Sequence, residues 1–129
     1  MTIQTLTIDR AEPQSLNSVL EAAKSHWGAY SKDKKARTIS VAMLARSQKL
    51  RPCKTPPNIR ITFWQKDKRI EKDNLLVNTK YLLDGLVEGG ILPDDRWDSY
   101  LSLGFRYEID RTNPRIVIQL IEDPSHDQR

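Results

Sequence analysis

Residues 58 to 65, N-I-R-I-T-F-W-Q, place Ile59, Ile61 and Phe63 at alternate positions with polar partners between them. Successive side chains of an extended chain point to opposite faces, so this stretch has one apolar and one more polar side. A strand of this kind cannot bury its apolar side alone and needs neighbouring strands and a covering layer. Three further stretches alternate in the same way. Met1 to Arg10 sets Ile3, Leu6 and Ile8 among Thr and Gln, and Tyr100 to Ile109 and Arg115 to Ile121 follow later. The last two are separated only by D-R-T-N-P and predict a hairpin.

Between the strands the period changes. Pro13 and Ser15 signal a helix start, and Leu16, Val19, Leu20 and Ala23 recur at helical spacing up to about Trp27, where Gly28 is expected to interrupt. A second, basic helix is expected from Lys32 to Leu50, around Ile39, Val41, Met43 and Leu44, and ended by Pro52, Pro56 and Pro57. A third runs from Asp73 to Glu88 through Leu76, Lys80, Leu83 and Val87, and Gly89-Gly90 closes it. The order β-α-α-β-α-β-β predicts an α+β fold, a sheet of about four strands with three helices packed on it. At 129 residues the chain is expected to form one domain over residues 1–122, followed by a flexible tail at 123–129.

Charge is distributed unevenly. Residues 24 to 54 carry nine Lys or Arg against the single acid Asp33, whereas residues 71 to 98 carry seven acids against Lys72, Lys80 and Arg96. Either run alone is an ordinary solvated face; together they describe a surface for polyanions beside a pocket for cations. No apolar run approaches the roughly 18 residues of a membrane span. The opening MTIQTLTIDR lacks the basic start and long apolar stretch of a secretion signal. Cys53 is the only cysteine, which excludes an internal disulfide and suits a reducing, cytoplasmic setting. The chain has two histidines, so a Cys/His nucleophile pair is not the expected chemistry.

The acids flank one segment, R-I-E-K-D-N-L-L-V-N-T-K at 69–80 and L-P-D-D-R-W-D at 92–98. Each has an ordinary structural role on spacing alone: Asp73 as a helix N-cap, Asp94 and Asp95 as turn formers, Lys80 as a solvated stem. As one straight helix, residues 73–88 would hold its ends about 24 Å apart. The two acidic groups then meet only if the helix is shorter or a loop folds back. Trp27, Trp64 and Trp97 can stack on exposed bases, although packing is the expected role for most of them.

The stretch E-K-D-N, then Lys80, L-L-D-G and E-G-G-I-L-P-D-D-R-W resembles the core of the RusA family of Holliday-junction resolvases, small endonucleases of phage or prophage origin. P-Q-S-L-N near the start is similar to an early element of that family. The resemblance implies that Glu71, Asp73 and Asp95 bind a divalent metal, Mg²⁺ with Mn²⁺ as an alternative. It further implies that Lys80 is the catalytic lysine, and that Asn74 is the Asn of the motif. Two departures stand out: Glu71 takes the place of the usual Asp, and Lys80 follows Asp73 by seven residues rather than four. Lys32, Lys34, Lys35, Arg37, Lys68 and Arg69 are the expected DNA contacts. The implied partners are branched DNA with four-way junctions and a second copy of the chain in a homodimer, and the implied location is the cytoplasm of a bacterial or phage-infected host. The expected function is metal-dependent resolution of such junctions by paired phosphodiester hydrolysis, in DNA recombination and repair. A catalytically impaired junction-binding or DNA-binding protein of the same fold is the alternative, and a small protein-interaction domain is the third reading.

Overall fold

A computed structural model describes residues 1–9 and 27–123, with the backbone alone for 27–33. The helix expected before Trp27 and most of the expected tail lie outside the described residues. The remaining elements are β1 (Thr2–Asp9), α1 (Trp27–Ser47), β2 (Asn58–Gln65), α2 (Lys72–Leu75), α3 (Thr79–Glu88), β3 (Ser102–Ile109) and β4 (Arg115–Glu122). They form the expected α+β architecture, with helices against a four-stranded sheet.

The sheet order is β1-β4-β2-β3. β4 runs antiparallel to both β1 and β2, whereas β3 lies parallel to β2. Alternation puts Ile59, Ile61 and Phe63 of β2 on the same side as Leu6, Ile116, Ile118 and Leu120, all fully or almost fully buried. Val41 and Ala45 of α1 and Leu82 and Leu86 of α3 complete this core.

The expected hairpin between the last two strands does not form, because β2 is inserted between them. Residues 110–114 step across the end of β2, two strand spacings or about 9.6 Å. Asp110 shapes the crossing. Its Oδ1 accepts from the Thr112 and Asn113 amides and the Thr112 hydroxyl. Its Oδ2 meets the Arg115 guanidinium at 2.9 Å, while the Asp110 amide donates to the Gln65 carbonyl at 2.7 Å. The Arg115 guanidinium in turn sits 4.3 Å over the Trp64 ring. β2 carries three side chains that are at most 2% exposed, so a flanking strand on each side satisfies its backbone groups away from water.

α1, described from Trp27 on, runs through Gly28, so Gly28 lies within a helix rather than ending one. The helix expected over 73–88 is broken. α2 is one turn long, a 3-10 turn follows at Leu76–Asn78, and α3 begins at Thr79. Asn78 is wholly buried and its Nδ2 donates to the Leu75 carbonyl at 2.7 Å, fixing the break. Gly90, at φ 79°, terminates α3 in the left-handed conformation that glycine adopts without strain. The Ile91 amide then returns to the Leu86 carbonyl at 2.9 Å. No helix among the described residues is long and apolar enough to cross a membrane.

Candidate active site

The two ends of the broken helical segment carry the candidate residues. Glu71, rather than Asp73, occupies the N-cap position of α2, and its side chain makes no capping hydrogen bond. Asp73 lies in the first turn, where the positive end of the helix favours a carboxylate. Both are exposed, as is Asp95. Asn74 is half-buried and its amide donates to the Glu71 carbonyl at 3.1 Å.

The acids around them are spent differently. Asp67 accepts from the Arg69 amide at 3.0 Å and pairs with its guanidinium at 3.4 Å. Asp94 accepts from the Arg96 amide at 3.0 Å, and its carbonyl takes the Ser99 hydroxyl at 2.6 Å. Asp84 holds Lys80 at 3.1 Å across one turn of α3. Among the described residues no such partner engages the carboxylates of Glu71, Asp73 or Asp95. The Asp-Asp pair is thereby resolved: Asp94 builds the turn and Asp95 remains open to solvent.

Lys80 is the point where the later half of the site converges. Its ammonium is held above the usual lysine range first by the hydrogen bond to Asp84 and by that residue's charge, with Asp95 and Tyr100 adding to the effect. It therefore stays protonated throughout the neutral range. Tyr100 was not singled out from the sequence, and Asp84 stood there only as the acid of L-L-D-G, with no role at the site. The Lys-x-x-x-Asp spacing carried the signal for Asp84, whereas nothing local marked Tyr100. The earlier half converges on Tyr107 of β3. Burial first, and then the charge of Asp73, push its phenol above the ordinary value, and the Lys72 ammonium lies 5.5 Å from its ring centre. Lys68, Glu71, Leu75, Tyr107 and Ile109 border a cleft of about 370 Å³ beside this cluster.

The charge of Asp95 thus bears on Lys80, and that of Asp73 on Tyr107. Among the described residues the structure does not gather three Asp, Glu, His or Cys side chains closely enough to hold a metal ion. In kind, the donors suit a hard cation, since all are exposed carboxylate oxygens, and Mg²⁺ takes one or two carboxylates while keeping several waters.

The expected DNA contacts fall into two groups. Arg37 and Lys34 are half-buried on α1 and Lys35 is exposed. The Arg37 guanidinium lies 5.8 Å from the centre of the Tyr81 ring, next to Lys80 in α3, so the basic helix abuts the helix that carries the candidate lysine. Lys68 and Arg69 are exposed in the loop before α2. The Lys32 side chain lies outside the described residues. In comparisons with known proteins, no family model matches the chain and no curated protein matches it.

Proposed function

We propose that the chain is a metal-dependent endodeoxyribonuclease that cuts branched DNA, with four-way junctions as substrate, as its resemblance to the RusA family implies. The observation that carries the reading is the division of labour among the acids. Asp67, Asp84 and Asp94 are committed to neighbouring side chains and turns, whereas Glu71, Asp73 and Asp95, the acids the resemblance names as metal ligands, make no such hydrogen bond or ion pair among the described residues.

In this reading one or two of Glu71, Asp73 and Asp95 would bind the divalent ion, Mg²⁺ or Mn²⁺, directly and the remainder through its waters. Bound there, it would supply a water of lowered pKa and offset phosphate charge. Lys80, charged at neutral pH as any lysine is and held by Asp84 at 3.1 Å, presents a positive charge to the charge that develops on the phosphorus oxygens. Asp84 acts through Lys80 by fixing its direction. The basic residues of α1, with Lys68 and Arg69, hold the DNA backbones, and that binding weakens steeply as salt rises. A junction has near two-fold symmetry and is resolved by two nicks, which a C2 homodimer matches with one site per strand.

The test is incubation of the purified protein with a synthetic four-way junction and a matched linear duplex, in Mg²⁺, Mn²⁺ or EDTA. Paired nicks confined to the junction and dependent on metal are expected. Asp73→Asn is expected to lower the rate on the order of a hundredfold or more, and Glu71→Asp to change it by less than about tenfold, because either carboxylate reaches a hydrated ion. Undiminished cutting by Asp73→Asn would sink the assignment. Because no three such side chains gather closely enough to hold a metal ion among the described residues, the second reading is a junction-binding protein that does not cut. Tight junction binding with no nicking in either metal is its signature.

A further inference from the structure

Trp97 is 94% exposed, in contrast to the packing role expected for most of the tryptophans. An indole left in water is costly at about 25 cal/mol per Å² of apolar surface, and the loop that bears it is not loose. Trp97 opens a 3-10 turn, Trp97–Ser99. Ser99 is almost fully buried; its hydroxyl donates to the Asp94 carbonyl at 2.6 Å and its amide to the Arg96 carbonyl at 3.0 Å. Beyond the turn, the Leu101 amide is tied to the Pro57 carbonyl at 2.8 Å. The chain therefore holds this indole outward from a fixed base, two residues from Asp95.

Beside it lies a hollow of about 450 Å³, walled by Asp95, Trp97, Asp98, Tyr100 and Leu103 with Arg96 at its rim. Its chemistry selects what enters. Asp95 and Asp98 make the interior hostile to a phosphate, whereas the aromatic and aliphatic walls suit a flat, uncharged ring. The Arg96 guanidinium, 3.8 Å from the Asp94 carboxylate and 86% exposed, leaves most of its donors open to a phosphate outside. We propose that Trp97 is a stacking platform for an unpaired nucleobase of the bound DNA, seated in this hollow with its own phosphate on Arg96. The inference rests on the nucleic-acid reading given above and adds the substrate element that the turn recognises: a base out of the helix stack, as at a branch point.

The test compares wild type, Trp97→Ala and Trp97→Phe. Binding is measured in EDTA to a four-way junction, to a duplex with unpaired bases and to a fully paired linear duplex, with 2-aminopurine at the branch point as a stacking reporter. Base–aromatic stacking is worth a five- to 150-fold change in affinity, roughly. Trp97→Ala is therefore expected to weaken binding of the junction and of the unpaired-base duplex about tenfold and to leave the linear duplex unchanged. The stacking change at 2-aminopurine should disappear with it, and Trp97→Phe should keep most of both. Unchanged junction affinity in Trp97→Ala overturns the proposal. So does an equal loss on all three DNAs, or a shift from dimer to monomer in sedimentation, which would make Trp97 a contact between copies. Cleavage in Mg²⁺ is scored separately. Selective loss in Trp97→Ala from a protein that never cuts leaves the stacking site standing and removes the nuclease reading. Cutting with wild-type junction affinity in Trp97→Ala does the reverse, and no binding to any DNA removes both.

Discussion

Glu122 is a carboxylate with only 7% of its surface exposed, at the end of the strand that holds the sheet together. Its Oε2 accepts from the Lys54 and Thr55 amides, each at 3.0 Å, and from the Thr55 hydroxyl at 3.1 Å, which ties the proline-rich connection to β4. Cys53 stands beside it. Burial first, then the Glu122 charge and hydrogen bond, push its thiol up to about 12, so at neutral pH almost no thiolate forms and the cysteine is inert. Glu122→Gln removes the charge and leaves an acceptor of the same shape. Iodoacetamide labelling of native Cys53 at pH 9 should then speed up several-fold, about tenfold for each pKa unit recovered, while remaining slower than for an unfolded chain. An unchanged labelling rate would mean that burial alone sets the thiol. The same scale separates Asp94 from Asp95. As letters they are identical turn formers, and only the hydrogen bonds from Arg96 and Ser99 show which one the turn consumes.

The central contact between elements is α1 against α3. Val41, Ala42 and Ala45 of α1 face Gly85 and Gly89, and the small residues allow the two backbones to approach closely. A Cβ on Gly85 would overlap the Val41 side chain and come 3.0 Å from the Thr38 carbonyl oxygen. Gly85→Ala is a better helix former, by about 1 kcal/mol, yet overpacking at such a contact costs about 1–3 kcal/mol. We expect a net loss of stability in urea, together with a shift of Lys80 and Asp84 that lowers any cleavage rate; a stabilised Gly85→Ala would show that the helices part freely. The strands were legible in the sequence because a two-residue period has one structural cause, and β2 was read with its exact bounds. The break at Asn78 was not legible. Leu76, Lys80, Leu83 and Val87 keep a helical period straight through it, and the backbone stays right-handed helical there. What marks it is a tightening to a 3-10 turn with a side-chain hydrogen bond from Asn78 to Leu75, which periodicity does not register. The candidate acids were legible as a motif, but Tyr100 and Tyr107 reach the site from β3 and its approach, which are remote in sequence.

For the molecule as a whole, the pattern of alternation said which segments are strands and not which strands are neighbours. A short connection between β3 and β4 favoured a hairpin, but the burial of β2 required a partner on each side and won. The crossing at 110–114 is therefore a structural joint, and its anchor is electrostatic. Hydrogen bonds from Arg115 first, and then from Thr112, hold the Asp110 carboxyl below its usual range. A depressed carboxylate stabilises the native state above its unfolded pKa of about 3.9 and loses that contribution as pH falls through the lower native value. Asp110→Asn should thus melt below wild type at pH 7 in calorimetry. The gap should narrow under about pH 4 and close once the native carboxyl is protonated. A gap that persists unchanged at the lowest pH would assign the effect to shape rather than charge.

The sheet order has a consequence for synthesis. Among the described residues β4 is the last of the four strands in chain order, yet it is the one neighbour of β1 and lies between β1 and β2. A nascent chain that has left the ribosome as far as Ile109 can set β2 beside β3, but Leu6 has no strand to lean on and the inner side of β2 lacks its second partner. Thr2 finds its place opposite Glu122 only when β4 emerges, and a contact so distant in sequence forms slowly. Half of the sheet is thus assembled in one late step. Until then the chain presents an apolar edge to the cell, the interval in which chaperones matter most.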